Sequence, residues 1–320
     1  MPKLPSYLVK PQLLKSLGSC KIYSVTDFLQ AEFEKLVTAT FGEEELIEVT
    51  RQLIRNYSTQ PKDALTLYRY LLRKTSIIQT FIKGLDDLLN GGLLTGTLLE
   101  ICGLSGTGKT QICLTITVNI VLKMKSNVTY IDTKRDFCSS RVLQILQTWN
   151  YKEETDTVLE RINVIPADDI YKLITLLQSI KNVLPSSEKF GKLIVIDSLA
   201  VLFFPFIGAP NNQGLSLLNH IASLLKIIAV KHHVAIIVTN LASKFEDNID
   251  FMKLEDLKQD IKESEVRPTL GKYWLHVPNT RLIVSKSSAV ECERVLVIKK
   301  SDYIKLGNTC TVQVLNSGVR

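Results

Sequence analysis

The chain has 320 residues, 45% of them hydrophobic and 22% charged, with a formal net charge of +7 at pH 7. That length suits one large domain with a smaller companion, and the composition excludes disorder as the default state. The basic excess fits a polyanionic partner, although alone it is weak evidence for one.

The six cysteines are Cys20, Cys102, Cys113, Cys138, Cys292 and Cys310. No two form a C-x-x-C pair and no His stands at metal-ligand spacing, so reduced, mostly buried thiols in a cytosolic or nuclear protein are expected. Met1, Pro2, Lys3, Leu4 and Pro5 do not begin a secretory signal. The longest apolar stretch, residues 215–238, carries His220, Lys226, Lys231, His232 and His233, and reads as a helix and then a strand, not a membrane span.

In chain order, residues 1–55 read as a small helical N-terminal domain. Ser24 with Asp27 resembles a helix start ahead of Phe28, Phe33 and Leu36. A second amphipathic run, residues 44–54, places Leu46, Val49, Leu53 and Ile54 near one face. Residues 56–80 read as a linker, interrupted by Pro61 and made basic by Arg69, Arg73 and Lys74. It is either a solvated helix and connection or a strap for a partner.

From residue 81 to residue 320 the pattern is α/β. Strands are expected at 97–102, 127–132, 162–165, 193–197 and 235–239, alternating with helices at 109–125, 139–148, 170–184 and 214–232. This alternation predicts a parallel sheet with helices on both faces. After Pro268 the pattern changes, and short strands at 281–285, 294–299 and 310–314 are expected to extend the sheet with antiparallel pairs.

Gly103, Leu104, Ser105, Gly106, Thr107, Gly108, Lys109 and Thr110 match G-x-x-x-x-G-K-[ST] in full, between an apolar strand and a helix. The three glycines are expected to leave room for backbone N–H groups to face a polyphosphate, and the helix N-terminus adds positive potential. Lys109 can reach the β- and γ-phosphates, and the Thr110 hydroxyl can ligate Mg2+. An acidic partner is expected at the end of a buried strand. Asp197, after Leu193, Ile194, Val195 and Ile196, is preferred to Asp132 because its run is more apolar.

A longer ordered set of residues then resembles one family. Ile82, Lys83, Gly84, Leu85 and Asp86 precede Gly91 and Gly92, then the phosphate loop and Gln111. Tyr130, Ile131, Asp132 and Thr133 follow, then Arg141, Asp197 with Ser198, Val238 to Asn240, Pro268 to Gly271, Trp274, and Asn279 to Leu282. Over about residues 20–315 the chain resembles the RecA-type strand-exchange proteins of eukaryotes and archaea. Residues 139–147 and 270–274 look most like the paralogue lettered D.

The resemblance implies a RecA-like P-loop ATPase core plus the small helical domain, with ATP and Mg2+ as cofactors. It implies Gln111 and Arg141 beside the nucleotide, hetero-oligomers with other recombinase paralogues, and contact with single-stranded or branched DNA. It also implies a nuclear role in homologous recombination and no membrane partner.

Two positions depart from the family pattern. The recombinases carry a water-activating Glu where this chain has Lys134, and an ammonium has no lone pair with which to take a proton. They carry a γ-phosphate-sensing Gln where this chain has Leu241. Glu100 and Asp136 are the carboxylates that could substitute as base. ATP binding is therefore expected to outlast hydrolysis.

The segments that would face DNA are about 202–213 and 241–267. The first holds Phe203, Phe204, Pro205 and Phe206. The second has more acidic than basic residues, and its residues 249–261 could form an amphipathic helix. Phe28 and Ala31 have the spacing of the family's docking signal but lie on a helical pattern, where core packing explains them. An inert scaffold and a small-molecule kinase are the rival readings. The kinase requires an acceptor pocket that the order of motifs does not favour.

Overall fold

The computed structural model describes residues 15, 17–19, 21–31, 43–57, 61, 63–149, 155–183, 191–206, 213–243 and 266–320. The chain forms two compact units, Met1–Arg69 and Tyr70–Arg320.

In the small unit, helix α1 (Val25–Gln30) begins with a reciprocal cap. The Asp27 N–H donates to Ser24 Oγ at 3.1 Å, and the Ser24 N–H donates to Asp27 Oδ2 at 2.9 Å. Helix α2 (Glu43–Tyr57) buries Leu46, Val49 and Leu53 against Val25, Phe28 and Leu17. Their i, i+3, i+7 spacing makes a narrow stripe. Ile54 lies outside it and is exposed, contrary to the expected face. Phe28 is a core residue of this unit, and Ala31 packs beside it. Phe33 and Leu36 lie outside the described residues.

The span read as a linker contains helix α3 (Ala64–Lys74), none of whose residues is buried. A short strand, β1 (Ile77–Ile78), follows and pairs antiparallel with β2 (Leu93–Leu94), with helix α4 (Lys83–Leu88) between them.

The rest of the large unit is one ten-stranded sheet. Its parallel part runs in the spatial order β9 (Thr280–Lys286), β3 (Leu98–Gly103), β7 (Ala235–Ser243), β6 (Leu193–Asp197), β4 (Val128–Asp132), β5 (Ile162–Pro166). Antiparallel strands β10 (Glu293–Ser301), β11 (Thr309–Leu315) and β12 (Gly318–Val319) extend it beyond β9, and β8 (Arg267–Pro268) pairs with the end of β7. The expected parallel sheet with an antiparallel extension is what forms.

Side chains alternate along each central strand, so the sheet feeds two cores. Tyr130, Val195, Ile237 and Leu282 enter one, with Ile112 and Ile116 of helix α5 (Lys109–Met124) and Ile145 of helix α6 (Ser139–Thr148). Ile131, Ile194, Ile196, Ile236 and Val238 enter the other, with helices α8 (Ile170–Val183) and α9 (Gln213–His232). The short helices α7 (Thr155–Glu160) and α10 (Gly271–Leu275) complete the layers.

By length and composition alone, α9 is apolar enough to cross a bilayer. Its Leu218, Ile221, Leu225 and Ile228 are instead packed in the second core, which explains its composition. Cys102 and Cys113 are buried, Cys138 is exposed, and Cys292 and Cys310 are half-buried, so fewer thiols are buried than expected. All five are unpaired, and no group of three metal-ligating side chains occurs among the described residues.

Candidate functional site

The phosphate loop leaves the end of β3 and enters α5, as the motif requires. Gly103 is confined by its neighbour strand, because an added Cβ would lie 2.4 Å from the Val284 carbonyl oxygen. Gly106 has φ +71° and adjoins only Lys286, whose Nζ would lie 3.9 Å from an added Cβ, while Gly108 has φ +94° and adjoins Val314 and Arg294. A Cβ at Gly103 would collide with the neighbouring strand, and Gly108 carries the left-handed turn that starts the helix.

Lys109 is buried beneath the loop. Its Nζ donates to the carbonyls of Gly103 at 2.8 Å and Leu104 at 2.7 Å. An ammonium has three donors, so one remains for a phosphate oxygen. Burial lowers its pKa most, and the positive charge of Lys134 acts in the same direction, against the pull of Asp197. Thr107 closes the loop with an Oγ1 bond to the Leu104 carbonyl at 2.9 Å. Arg294, buried on β10, braces it by donating from Nε to the Thr107 carbonyl at 3.1 Å. Leu104, Ser105 and Thr110 complete the rim.

Asp197 ends β6, and β7 lies between β6 and β3, so the carboxylate faces the loop across one intervening strand. Thr239 Oγ1 donates to its Oδ1 at 2.6 Å and the Tyr130 hydroxyl to its Oδ2 at 2.9 Å. Burial, reinforced by the charge of Asp197, holds the Tyr130 phenol well above its ordinary pKa, so it stays a proton donor. The rival, Asp132, is engaged otherwise. It accepts the backbone N–H groups of Lys134, Asp136 and Phe137 and so closes the turn after β4.

Glu100 is corrected as a candidate base. It is fully buried in β3, where Oε1 accepts from Asn240 Nδ2 at 2.7 Å and Trp274 Nε1 at 2.9 Å, and Oε2 is ion-paired with Arg281 Nε. A carboxylate so enclosed cannot come within hydrogen-bond reach of a water beside the loop, which a base requires. Asp136 stands 61% exposed, 3.9 Å from Lys134 Nζ. Leu241 packs against the second core, in keeping with its inability to sense a phosphate.

Arg141 is also more constrained than expected. Its Nε donates to Gln111 Oε1 at 2.8 Å, and Nη1 and Nη2 donate to the carbonyls of Asn316 at 2.8 Å and Leu315 at 2.7 Å. The in-plane donors hold the C-terminal turn, which leaves the flat face as the surface on which a base could lie.

Around this pocket the donor set favours phosphate over a divalent ion. Thr110 and Asp197 are the oxygens a Mg2+ would use, yet Lys134 Nζ already faces Asp197 Oδ1 at 3.5 Å. A Mg2+ there would sit against an ammonium. Of the segments expected to face DNA, Phe203 is buried and Phe204 exposed. Residues 207–212 and 244–265, with the helix expected at 249–261, lie outside the described residues.

Sequence reasoning missed Arg294 as part of the site, and it noted Tyr130 and Thr239 only within the family pattern, with no contact to Asp197. An isolated residue inside a strand, such as Arg294, carries no local motif. Only the neighbouring strand's register shows what it meets.

Together, the strand order and the loop between β3 and α5 define a RecA-like α/β protein with a phosphate loop. The Rad51 family model matches residues 72–320. DNA repair protein RAD51 homolog 4 of Bos taurus is 32% identical over 316 residues, covering 96% of this chain and 91% of that protein. DNA repair protein RAD51 homolog 2 of Mus musculus is 28% identical over 250 residues, covering 70% of each. A solved structure of the RadB recombinase shares the fold at a TM-score of 0.59 and 22% identity, covering 76% of this chain and 98% of that one. The chain belongs to the Rad51 family.

Proposed function

We propose that this chain is an ATP-binding recombination-mediator subunit of a nuclear complex of Rad51-family paralogues. In this reading it supports homologous recombination and double-strand break repair, binds single-stranded or branched DNA, and hydrolyses ATP weakly or atypically. The observation that carries the reading is the phosphate loop itself: Gly106 at φ +71° beside Lys286, a buried Lys109 with a donor to spare, and Lys134 in place of the family's Glu. We take the specific member to be the D paralogue, on residues 139–147 and 270–274. Residues 1–55, 56–80 and 81–320 are taken as helical domain, linker and ATPase core. An inert, nucleotide-stabilised scaffold is the second reading, and the Lys134–Asp197 contact favours it to the extent that it blocks catalysis.

The DNA part of the proposal is supported by a groove of about 860 Å3 at the end of the large unit where β4, β6 and β7 begin, opposite the phosphate loop. Arg73, Lys74, Lys125, Lys192 and Lys231 line it with His232 and His233, and no carboxylate does so among the described residues. Helices α3, α5 and α9 end there. Each contributes about half a negative charge, roughly −1.5 together, which five full cations outweigh.

Tyr70 packs edge-on against His233 within the groove and adds an aromatic surface. Reversing charge at Lys125 and Lys231 together is expected to weaken binding of single-stranded DNA. The dependence of log affinity on log salt should become shallower by about 0.7 for each phosphate no longer neutralised. Titrations from low to moderate salt decide it. An unchanged slope would place the DNA elsewhere, and a salt-independent affinity would remove phosphate contacts altogether.

A further inference from the structure

Lys134 follows the end of β4, and its ammonium has a defined position. Its backbone N–H is held by Asp132 Oδ1 at 3.1 Å, and its Nζ lies 3.5 Å from Asp197 Oδ1. The second acid nearby, Asp136, is exposed, so that contact contributes little. Asp197 differs. Its side chain is only 3% exposed, and two hydroxyls fix its orientation, so its charge is weakly screened. The one cation within ion-pair distance of it, among the described residues, is Lys134.

Lys109 stands nearby with one donor unused, and its charge senses both Lys134 and Asp197. The ammonium groups of Lys109 and Lys134 therefore border the space above the phosphate loop, with Lys286 Nζ beside Gly106, where P-loop proteins ordinarily rely on one lysine and a metal.

We propose that the Lys134 ammonium replaces the divalent cation in this pocket, so that the chain holds a nucleoside triphosphate without Mg2+. The inference rests on the nucleotide reading of the loop. Two ammonium groups can meet the β- and γ-phosphate charge with no octahedral shell, which Mg2+ demands and which Asp197 cannot supply while it faces Lys134. The arrangement also separates binding from turnover, because an ammonium neutralises phosphate but has no lone pair with which to activate water.

The test is the affinity of the purified full chain for ATP carrying a fluorescent ribose label, in excess Mg2+ and in EDTA. The wild-type affinities are expected to agree within about threefold. Lys134→Gln is expected to lose about tenfold or more in EDTA and to recover in Mg2+, while Lys134→Arg, which keeps the charge, follows the wild type. Equal melting temperatures verify that the variants fold.

The proposal is overturned if the wild type itself loses about tenfold in EDTA, or if Lys134→Gln shows the wild-type metal dependence. Wild-type chain that binds labelled ATP in neither buffer would overturn the nucleotide reading as well. Loss confined to EDTA would overturn the metal-free inference alone.

Discussion

Replacing Glu100 by alanine is expected to destabilise the large unit by about 3–5 kcal/mol. The cause is the partner left behind. Arg281 is buried, and its Nη2 and Nη1 reach only the carbonyls of Trp274 at 3.2 Å and Leu275 at 3.4 Å once its carboxylate is gone. The Asn240 amide and the Trp274 indole N–H lose their shared acceptor at the same time. An unpaired buried charge and two orphaned donors in one place are far more costly than the methylenes removed.

Thermal unfolding should show a midpoint lowered by roughly 10 °C. Glu100→Gln should also destabilise, since an amide leaves Arg281 unpaired. A shift of less than about 1 kcal/mol would show that the network is dispensable. If Glu100→Gln instead abolished ATP turnover in a chain of unchanged stability, Glu100 would be a base after all.

The second large effect falls on the nucleotide. Lys109→Ala is expected to weaken ATP binding by about 10–100-fold, the worth of a charge-assisted hydrogen bond to phosphate. Isothermal titration reads it directly, and an affinity within about twofold of wild type would remove Lys109 from the site. The same variant separates the two functional readings. Repair abolished while paralogue assembly persists would rule out the scaffold, whereas repair and assembly both retained would favour it.

The parts of this molecule that could be read from the sequence are those encoded locally. The buried strands 193–197 and 235–239 declare themselves as apolar runs, and Ser24 with Asp27 spells its own helix cap. The phosphate loop is legible because its eight residues are contiguous and must follow a strand. The rest depends on residues far apart in the chain. Trp274 is 174 residues from Glu100 and Arg281 is 181, so nothing near Glu100 tells that it belongs to a buried ion pair.

Arg294 likewise reads as one polar residue in an alternating strand until β10 is placed beside β9 and the loop. Helix α3 fits the solvated-helix reading of residues 56–80, but since it buries none of its residues no core-facing stripe marks its bounds. Lys134 is legible as a departure from the family pattern. Its contact is not, since that needs the register of Asp132 opposite Asp197 on adjacent strands.

On the proposed function this chain binds ATP and turns it over weakly or atypically, because Lys134 and Leu241 stand where its family places a base and a sensor. Phosphate release in a single-turnover assay, with purified chain in excess over ATP and with and without single-stranded DNA, measures that claim directly. The predicted result is saturable ATP binding with slow phosphate release that DNA raises little. Fast, strongly DNA-stimulated release from the wild type that disappears in Lys109→Ala would contradict it.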